Sequence, residues 1–279
     1  MAPEHSAAPA GVRTDILALG EPMVEFNQTG EGAGRMYLQG FGGDTSNAAI
    51  AAARQGASVG YLSAVGDDVY GGMLRALWQR EGVDASGVRT DAAAFTAVYF
   101  VTHDPQGHHF SFFRQGSAAS RMRAQDLPRE RIAGARVLHL SGISAAISHT
   151  ACDTCFAAVE MAKAAGVQVS FDTNLRLKLW PIARARAVTR ELIRLSDICL
   201  ASLEGIQAVS GLVDADGLED FCHGLGAGTV ALKLGAQGAL VSDGERRWRL
   251  PAHRCTPVDA TGAGGTFGGA LLARLGAGD

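Results

Sequence analysis

The sequence predicts an α/β protein on a mainly parallel sheet with helices on both faces, and three observations predict it. Short β-rich runs alternate with alanine-rich helical stretches almost to the C-terminus. Those β-rich runs are apolar throughout, not alternating, as strands buried on two faces must be. The length, 279 residues with 47% hydrophobic and 19% charged residues, suits one large packed domain and not a disordered chain.

The elements follow in chain order. "MAPEHSAAPAGVRT", residues 1–14, is small and polar without the apolar stretch of a signal peptide, and reads as a frayed tail before a domain spanning 15–279. "DILALGE" is a first strand, and "TSNAAIAAARQGA" a helix capped near Thr45 or Ser46 and stopped at Gly56. "SVGYLSAVG" is a strand, "YGGMLRALWQREG" a helix, "ARVLHLSGI" a strand and "HTACDTCFAAVEMAKAAG" a helix. "VQVSFDTN", a helix through "ARARAVTRELIRLS", the strand "DICLAS" and a helix through "EDFCHGLGAG" come next. "TVALKLGAQGALVS" gives a strand, a glycine turn and a strand. Two aromatic, alternating segments, 34–43 and 95–116, break this rhythm. The second reads as a hairpin, "AVYFVTH" and "HHFSFFR", turning through Asp104-Pro105-Gln106-Gly107. Together they predict a small antiparallel layer over the crevice at the strand ends, where open α/β sheets bind ligands.

Bulk properties exclude several classes. A net charge of −3 without a basic block implies neither nucleic acid nor an anionic membrane as partner. No apolar run is long enough to span a bilayer. Five scattered cysteines read as reduced cytoplasmic thiols, and the lone Cys152–Cys155 spacing reads as helix packing, not a zinc or redox site. His103, His108 and His109 read as solvated hairpin residues, not metal ligands.

The chemistry concentrates near the C-terminus. "DATGAGGTFGG", Asp259 to Gly269, holds five glycines that let backbone N–H groups approach a ligand. A helix starting at Gly264 or Gly265 would aim those groups and its dipole at one anion. There is no GxxxxGK[ST] and no GxGxxG after the first strand, so any phosphate must be handled by Asp259–Phe267.

"GFGGDTSN", followed by Gly56 and Gly66, and "DATGAG" with "TF" and "GG" resemble the two signatures of ribokinase-like (PfkB) carbohydrate kinases. "AVYF", "FFRQGSAA", "LSGIS" and "FDTNLRLKLW" narrow the resemblance to 2-keto-3-deoxygluconate kinases. It implies a three-layer α/β/α sandwich with a small β-sheet lid from about 33–43 and 95–116. The implied reaction moves phosphate from Mg·ATP to the 6-hydroxyl of a six-carbon keto-deoxy acid. A sugar acid needs a cation of fixed geometry, and Arg114 and Arg176 are candidates; for Arg176 a surface salt bridge is the rival reading. Gly42, Gly43, Asp44 and Asn47 fit hydroxyl recognition at a loop-to-helix start. Tyr99 and Phe112 either wall the sugar or merely pack the hairpin, and Glu25 either reaches the sugar or is solvated. The resemblance puts Asn174, Ser202, Lys233, Gly235 and Gly238 beside ATP, and Gly262, Ala263 and Gly264 at the transferring phosphoryl group.

Three departures from the family pattern stand out. Gly265 occupies the position of the general-base aspartate, a group worth about 10²–10⁴ in rate; Asp259 survives at the motif's start. "SLEG" replaces the family's Asn-x-x-Glu, so Ser202 and Gly205 stand where the magnesium-organising pair would be, with Glu204 adjacent. The chain also stops at Asp279, where the resemblance leads one to expect a further C-terminal segment. The expectation is a cytoplasmic kinase weakened by Gly265. Its rivals are a silent sugar or nucleotide binder and a kinase for fructose, a nucleoside or another keto-deoxy acid. Exposed lid aromatics suggest self-association through the lid.

Overall fold

The computed structural model describes residues 14–29, 36–104, 107–256 and 261–277. Residues 1–13 of the expected tail, Asp259, and the Pro105-Gln106 turn lie outside the described residues, while Thr14 already belongs to the first strand. Nine strands form the large sheet in the order β13-β12-β11-β10-β9-β8-β1-β4-β5. These are β1 (Thr14–Leu19), β4 (Val59–Gly66), β5 (Val88–Asp91), β8 (Ala135–Ser141), β9 (Gln168–Asp172), β10 (Ile198–Ser202), β11 (Thr229–Lys233), β12 (Ala239–Ser242) and β13 (Arg247–Leu250). Neighbours pair in parallel from β5 to β11, and β12 and β13 close one edge antiparallel.

Helices cover both faces, which makes three layers. One face buries Leu138, Phe171, Leu192 and Val230 in a core with α3 (Arg129–Ala133), α5 (His149–Ala164), α6 (Ile182–Leu195) and α8 (Ala215–Leu225). The other buries Ile16, Tyr61, Trp78 and Leu200 with α1 (Asp44–Arg54), α2 (Val69–Arg80) and α9 (Ala263–Ala277). Short helices α4 (Gly142–Ala146) and α7 (Leu203–Ser210) follow β8 and β10. Cys152 and Cys155 are buried in α5, consistent with packing.

A separate four-stranded sheet, β3-β2-β6-β7, comprises β2 (Met23–Thr29), β3 (Met36–Gly42), β6 (Val98–Asp104) and β7 (Gly107–Phe113). The aromatic hairpin forms as its alternation predicts. The layer is not purely antiparallel: β2 pairs in parallel with β6 and joins the two segments. β2 follows β1 after three residues, so its sequence reads as a continuation of the first strand.

Two strands of the large sheet escape a sequence reading. β5 is four residues long. β13, "RWRL", is fully exposed along its length and carries two arginines, a poor strand pattern until its partners are seen. Arg247 reaches Glu219 and Asp220, and Arg249 reaches Asp216, all on α8.

Glu219 is fully buried there, and neither carboxylate oxygen accepts a hydrogen bond among the described residues. Burial is the main cause that pushes its pKa up to about 7; Asp216 and Asp220 add to it and Arg247 opposes it. The folded chain thus keeps a proton that the unfolded chain releases above the ordinary carboxylate pKa. Stability falls as pH rises between about 4.5 and about 7. Glu219→Gln is expected to gain about 1–3 kcal/mol at about pH 8 and little at about pH 5. Thermal melts of both proteins at the two pH values check this; an equal gain at both removes the protonation account.

Candidate active site

The crevice lies at the C-terminal ends of β1, β9 and β11, where the starts of α1 and α9 converge. α1 begins after Gly43, whose φ of 106° suits glycine. Its first turn separates anchoring from open side chains. Thr45 and Ser46 are buried and bonded to Tyr61 Oη at 3.0 Å and Trp78 Nε1 at 2.9 Å. Asp44 and Asn47 are half-buried on the side facing α9.

α9 starts at Ala263, one residue earlier than expected, and its first amides have no intrahelical acceptor. It crosses α1 at backbone contact. A Cβ on Gly262 would stand 2.9 Å from Asn47 Nδ2, and one on Gly265 would stand 2.6 Å from the Asp44 carbonyl oxygen. One on Gly269 would stand 2.1 Å from the Ala48 carbonyl, so this site admits no side chain without moving a helix. The glycines therefore do two jobs: they bare the amides of 263–265 and seat them against Asp44 and Asn47.

A polar chain links this corner to the sheet. Asn174 Nδ2 donates to Asp44 Oδ2 at 2.9 Å, and the Asn174 amide donates to Asp172 Oδ1 at 3.2 Å. Asp172 Oδ2 accepts from Lys233 Nζ at 2.7 Å. That ammonium lies 3.6 Å from where a Gly264 Cβ would be, at the mouth of the amide cradle. Asn174 has a φ of 24°, a strained position for a non-glycine residue at a strand end over the crevice. Beneath lies buried His139, bonded to Ser170 Oγ at 3.1 Å, its pKa lowered by burial.

The second group of candidates sits where the small sheet meets Gly42 and Gly43. Tyr99 is buried, its hydroxyl donates to Glu25, and a Cβ on Gly42 would stand 2.5 Å from that hydroxyl oxygen. Phe112 stacks on Tyr99 with ring centroids 5.5 Å apart and is 43% exposed. Arg114 stacks over Phe112 at 5.3 Å.

Arg114 is also held by an acid that the sequence reading did not weigh. Its Nε and Nη2 both donate to Glu21, which is fully buried and also accepts from Ser117 Oγ at 3.2 Å. Burial is the larger influence and raises the Glu21 pKa; Arg114 opposes it. Arg176, two residues beyond Asn174, is exposed; its guanidinium donates to the Leu175 carbonyl at 2.9 Å and pairs with no acid among the described residues. Asp172 and Glu21 are the two polar residues that sequence reasoning missed. Asp172 ends β9 two residues before Asn174, and Glu21 follows Gly20 just beyond β1; position at an apolar strand's end was the available signal.

The remaining nucleotide candidates are more dispersed. Ser202 begins α7, and its Oγ lies 2.7 Å from the Cβ position of Gly205. Gly235, with a φ of 58°, and Gly238, with 95°, form the tight turn between β11 and β12. A Cβ on Gly238 would stand 1.9 Å from the Leu250 carbonyl, so β13 requires this glycine. Glu204 is exposed on the first turn of α7 while Gly205 is buried, and no group of three or more acids, histidines or cysteines among the described residues could hold a metal.

Residues 13–279 match the pfkB family carbohydrate kinase. The chain is 34% identical over 282 residues to fructokinase-1 of Oryza sativa subsp. japonica, covering 95% of this chain and 84% of that protein. It is 32% identical over 274 residues to 2-dehydro-3-deoxygluconokinase of Thermoproteus tenax, covering 95% and 83%. Among solved structures, a PfkB protein from Polaromonas sp. JS666 superposes with a TM-score of 0.88 at 31% identity, covering 95% of this chain and 90% of that one. Fructokinase from Xylella fastidiosa with bound ATP superposes with a TM-score of 0.86 at 25% identity, covering 95% and 82%. Two helix starts, a lysine and a glycine-rich turn converge on one crevice in a fold shared with sugar kinases over almost its whole length, and the chain belongs to the pfkB family of carbohydrate kinases.

Proposed function

We propose that the protein phosphorylates 2-keto-3-deoxygluconate at its 6-hydroxyl with ATP, giving 2-keto-3-deoxy-6-phosphogluconate. The observation that carries the reading is the meeting of the α9 amides, the Lys233 ammonium and the Asp44–Asn174 pair in one bonded corner. The amides of 263–265 and Lys233 would face charge developing on the transferred phosphoryl group, in place before reaction. Gly42, Gly43, Asp44 and Asn47 would hold hydroxyls, with Tyr99 and Phe112 as the wall. Asn174, Ser202 and the Gly235–Gly238 turn would take the nucleotide. Magnesium would travel with the nucleotide's phosphates, which commonly supply most of its non-water ligands, and no step here runs through it. The small sheet would act as the lid; exposed Met36, Leu38, Phe110 and Phe113 on it support pairing with a second copy. Five free cysteines support a cytoplasmic setting.

Fructose is the second reading, and a specific observation favours it: Glu21 already neutralises Arg114, which leaves Arg176 as the one guanidinium of the pair open to a substrate carboxylate. Fructokinases are also among the relatives. ADP release with ATP and either keto-deoxygluconate, fructose or ribose tests both. Arg176→Met should raise KM for the acid by about tenfold and leave fructose unchanged. Faster turnover of fructose than of the acid selects the second reading; no turnover of any sugar, with no binding by calorimetry, ends both.

A further inference from the structure

The family's base position is glycine here, and its surroundings show what stands in that place. The side-chain direction of Gly265 runs into the start of α1, toward the Asp44 carbonyl at 2.6 Å and Asn47 Cβ at 3.3 Å. An aspartate at 265 would thus present its carboxylate to the Asp44–Asn47 turn. We propose that Asp44 itself takes the proton from the attacking sugar hydroxyl, in place of a residue at 265. This deepens the kinase reading and rests on it.

Two other described acids of the corner are already paired with cations, Glu21 with Arg114 and Asp172 with Lys233, while Glu25 sits on β2 in the small sheet, between Tyr99 and Gly40. A carboxylate paired with a cation is a weaker proton acceptor, because the cation stabilises its charged form. Among the described residues, Asp44 accepts from neutral amides: the Thr45 N–H at 2.8 Å on Oδ1 and Asn174 Nδ2 at 2.9 Å on Oδ2. Each oxygen keeps a further lone pair. Those two bonds also fix the carboxylate, and the strained backbone of Asn174 is what carries the second of them to it. In the step, the hydroxyl oxygen bonds to the γ-phosphorus, the bond from that phosphorus to the β-bridging oxygen breaks, ADP leaves, and the hydroxyl proton goes to an Asp44 oxygen.

The charged and titratable groups around Asp44 are Glu21 with Arg114, Asp172 with Lys233, Tyr61 behind Thr45, and His139 below. The test is kcat against pH for the wild-type chain, Asp44→Asn, Asp44→Glu, Asp259→Asn and Gly265→Asp, with sugar affinity measured separately by calorimetry. Asp44→Asn is expected to lower kcat by about 10²–10⁴-fold and abolish the acid limb, with sugar affinity changed much less. Asp44→Glu keeps the limb at reduced kcat. Gly265→Asp, which crowds the α1 backbone, gives no gain. Loss of sugar affinity in Asp44→Asn with kcat retained reduces Asp44 to a binding residue and overturns the proposal. So does disappearance of the limb in Asp259→Asn alone, or a gain of about tenfold or more in kcat from Gly265→Asp. A wild-type chain that binds sugar and ATP without turnover overturns the base assignment but leaves a binding reading. A chain that binds neither ends the kinase reading as well.

Discussion

Arg114→Met is expected to cost about 3–5 kcal/mol of folding stability, the penalty for leaving a buried charge without its partner. The charge left behind is Glu21, whose side chain is wholly buried and whose Oε2 takes both donors of the guanidinium. Among the described residues, Ser117 is the one other group bonded to that carboxylate, and a neutral hydroxyl does not replace a cation. The sign of the pH dependence follows. Burial already raises the Glu21 pKa against the opposing pull of Arg114. Without the arginine it rises further, so the folded variant holds a proton that the unfolded chain loses. Its stability deficit is therefore smaller at about pH 5 and larger at about pH 8. Chemical denaturation of wild type, Arg114→Met and the double variant Glu21→Gln/Arg114→Met at both pH values checks this. The double variant should regain most of the loss, since a buried pair and a neutral replacement often differ little. A single variant as stable as wild type would mean that Glu21 reaches water, and that Arg114 is open to a substrate acid after all.

That ion pair also marks where sequence reasoning stopped. Arg114 after the hairpin, next to an aromatic strand, reads naturally as a carboxylate grip. Whether a guanidinium meets a ligand or a buried glutamate 93 positions away depends on the chain folding back, which no local pattern encodes. The β-α alternation was legible because β1, β4, β8, β9, β10 and β11 are apolar or flanked by helix signals; β5 and β13 were not, being four-residue edge strands. β13 is held by arginine contacts to α8, so its strand character is tertiary. In "GFGGDTSN" the sequence reads Thr45 or Ser46 as the helix cap and Asp44 and Asn47 as hydroxyl ligands; the helix instead starts at Asp44 after Gly43, Thr45 and Ser46 are buried anchoring, and the outer pair is half-buried beside the crevice. Helical periodicity allows that division; choosing it requires Tyr61 and Trp78 to be in place. The glycines at 262, 265 and 269 were legible as permissive backbone, while their contact with α1 was not.

Lys233→Met is expected to lower kcat by about 10²–10³-fold, the usual loss when one preorganised donor is removed from developing negative charge. The prediction must be separated from folding, because Lys233 also neutralises Asp172, which is only 4% exposed. Loss of the lysine alone leaves that aspartate buried beside the Asn174 amide, with a stability cost of the order of 3–5 kcal/mol. Asp172→Asn/Lys233→Met removes both charges and should restore most of the stability. It should not restore kcat, since no cation remains 3.6 Å from the Gly264 Cβ position. Lys233→Arg should keep the pairing but move its charge, with an intermediate kcat. If the double variant regains turnover together with its melting temperature, the ammonium serves the fold alone, and the α9 amides carry phosphate without it.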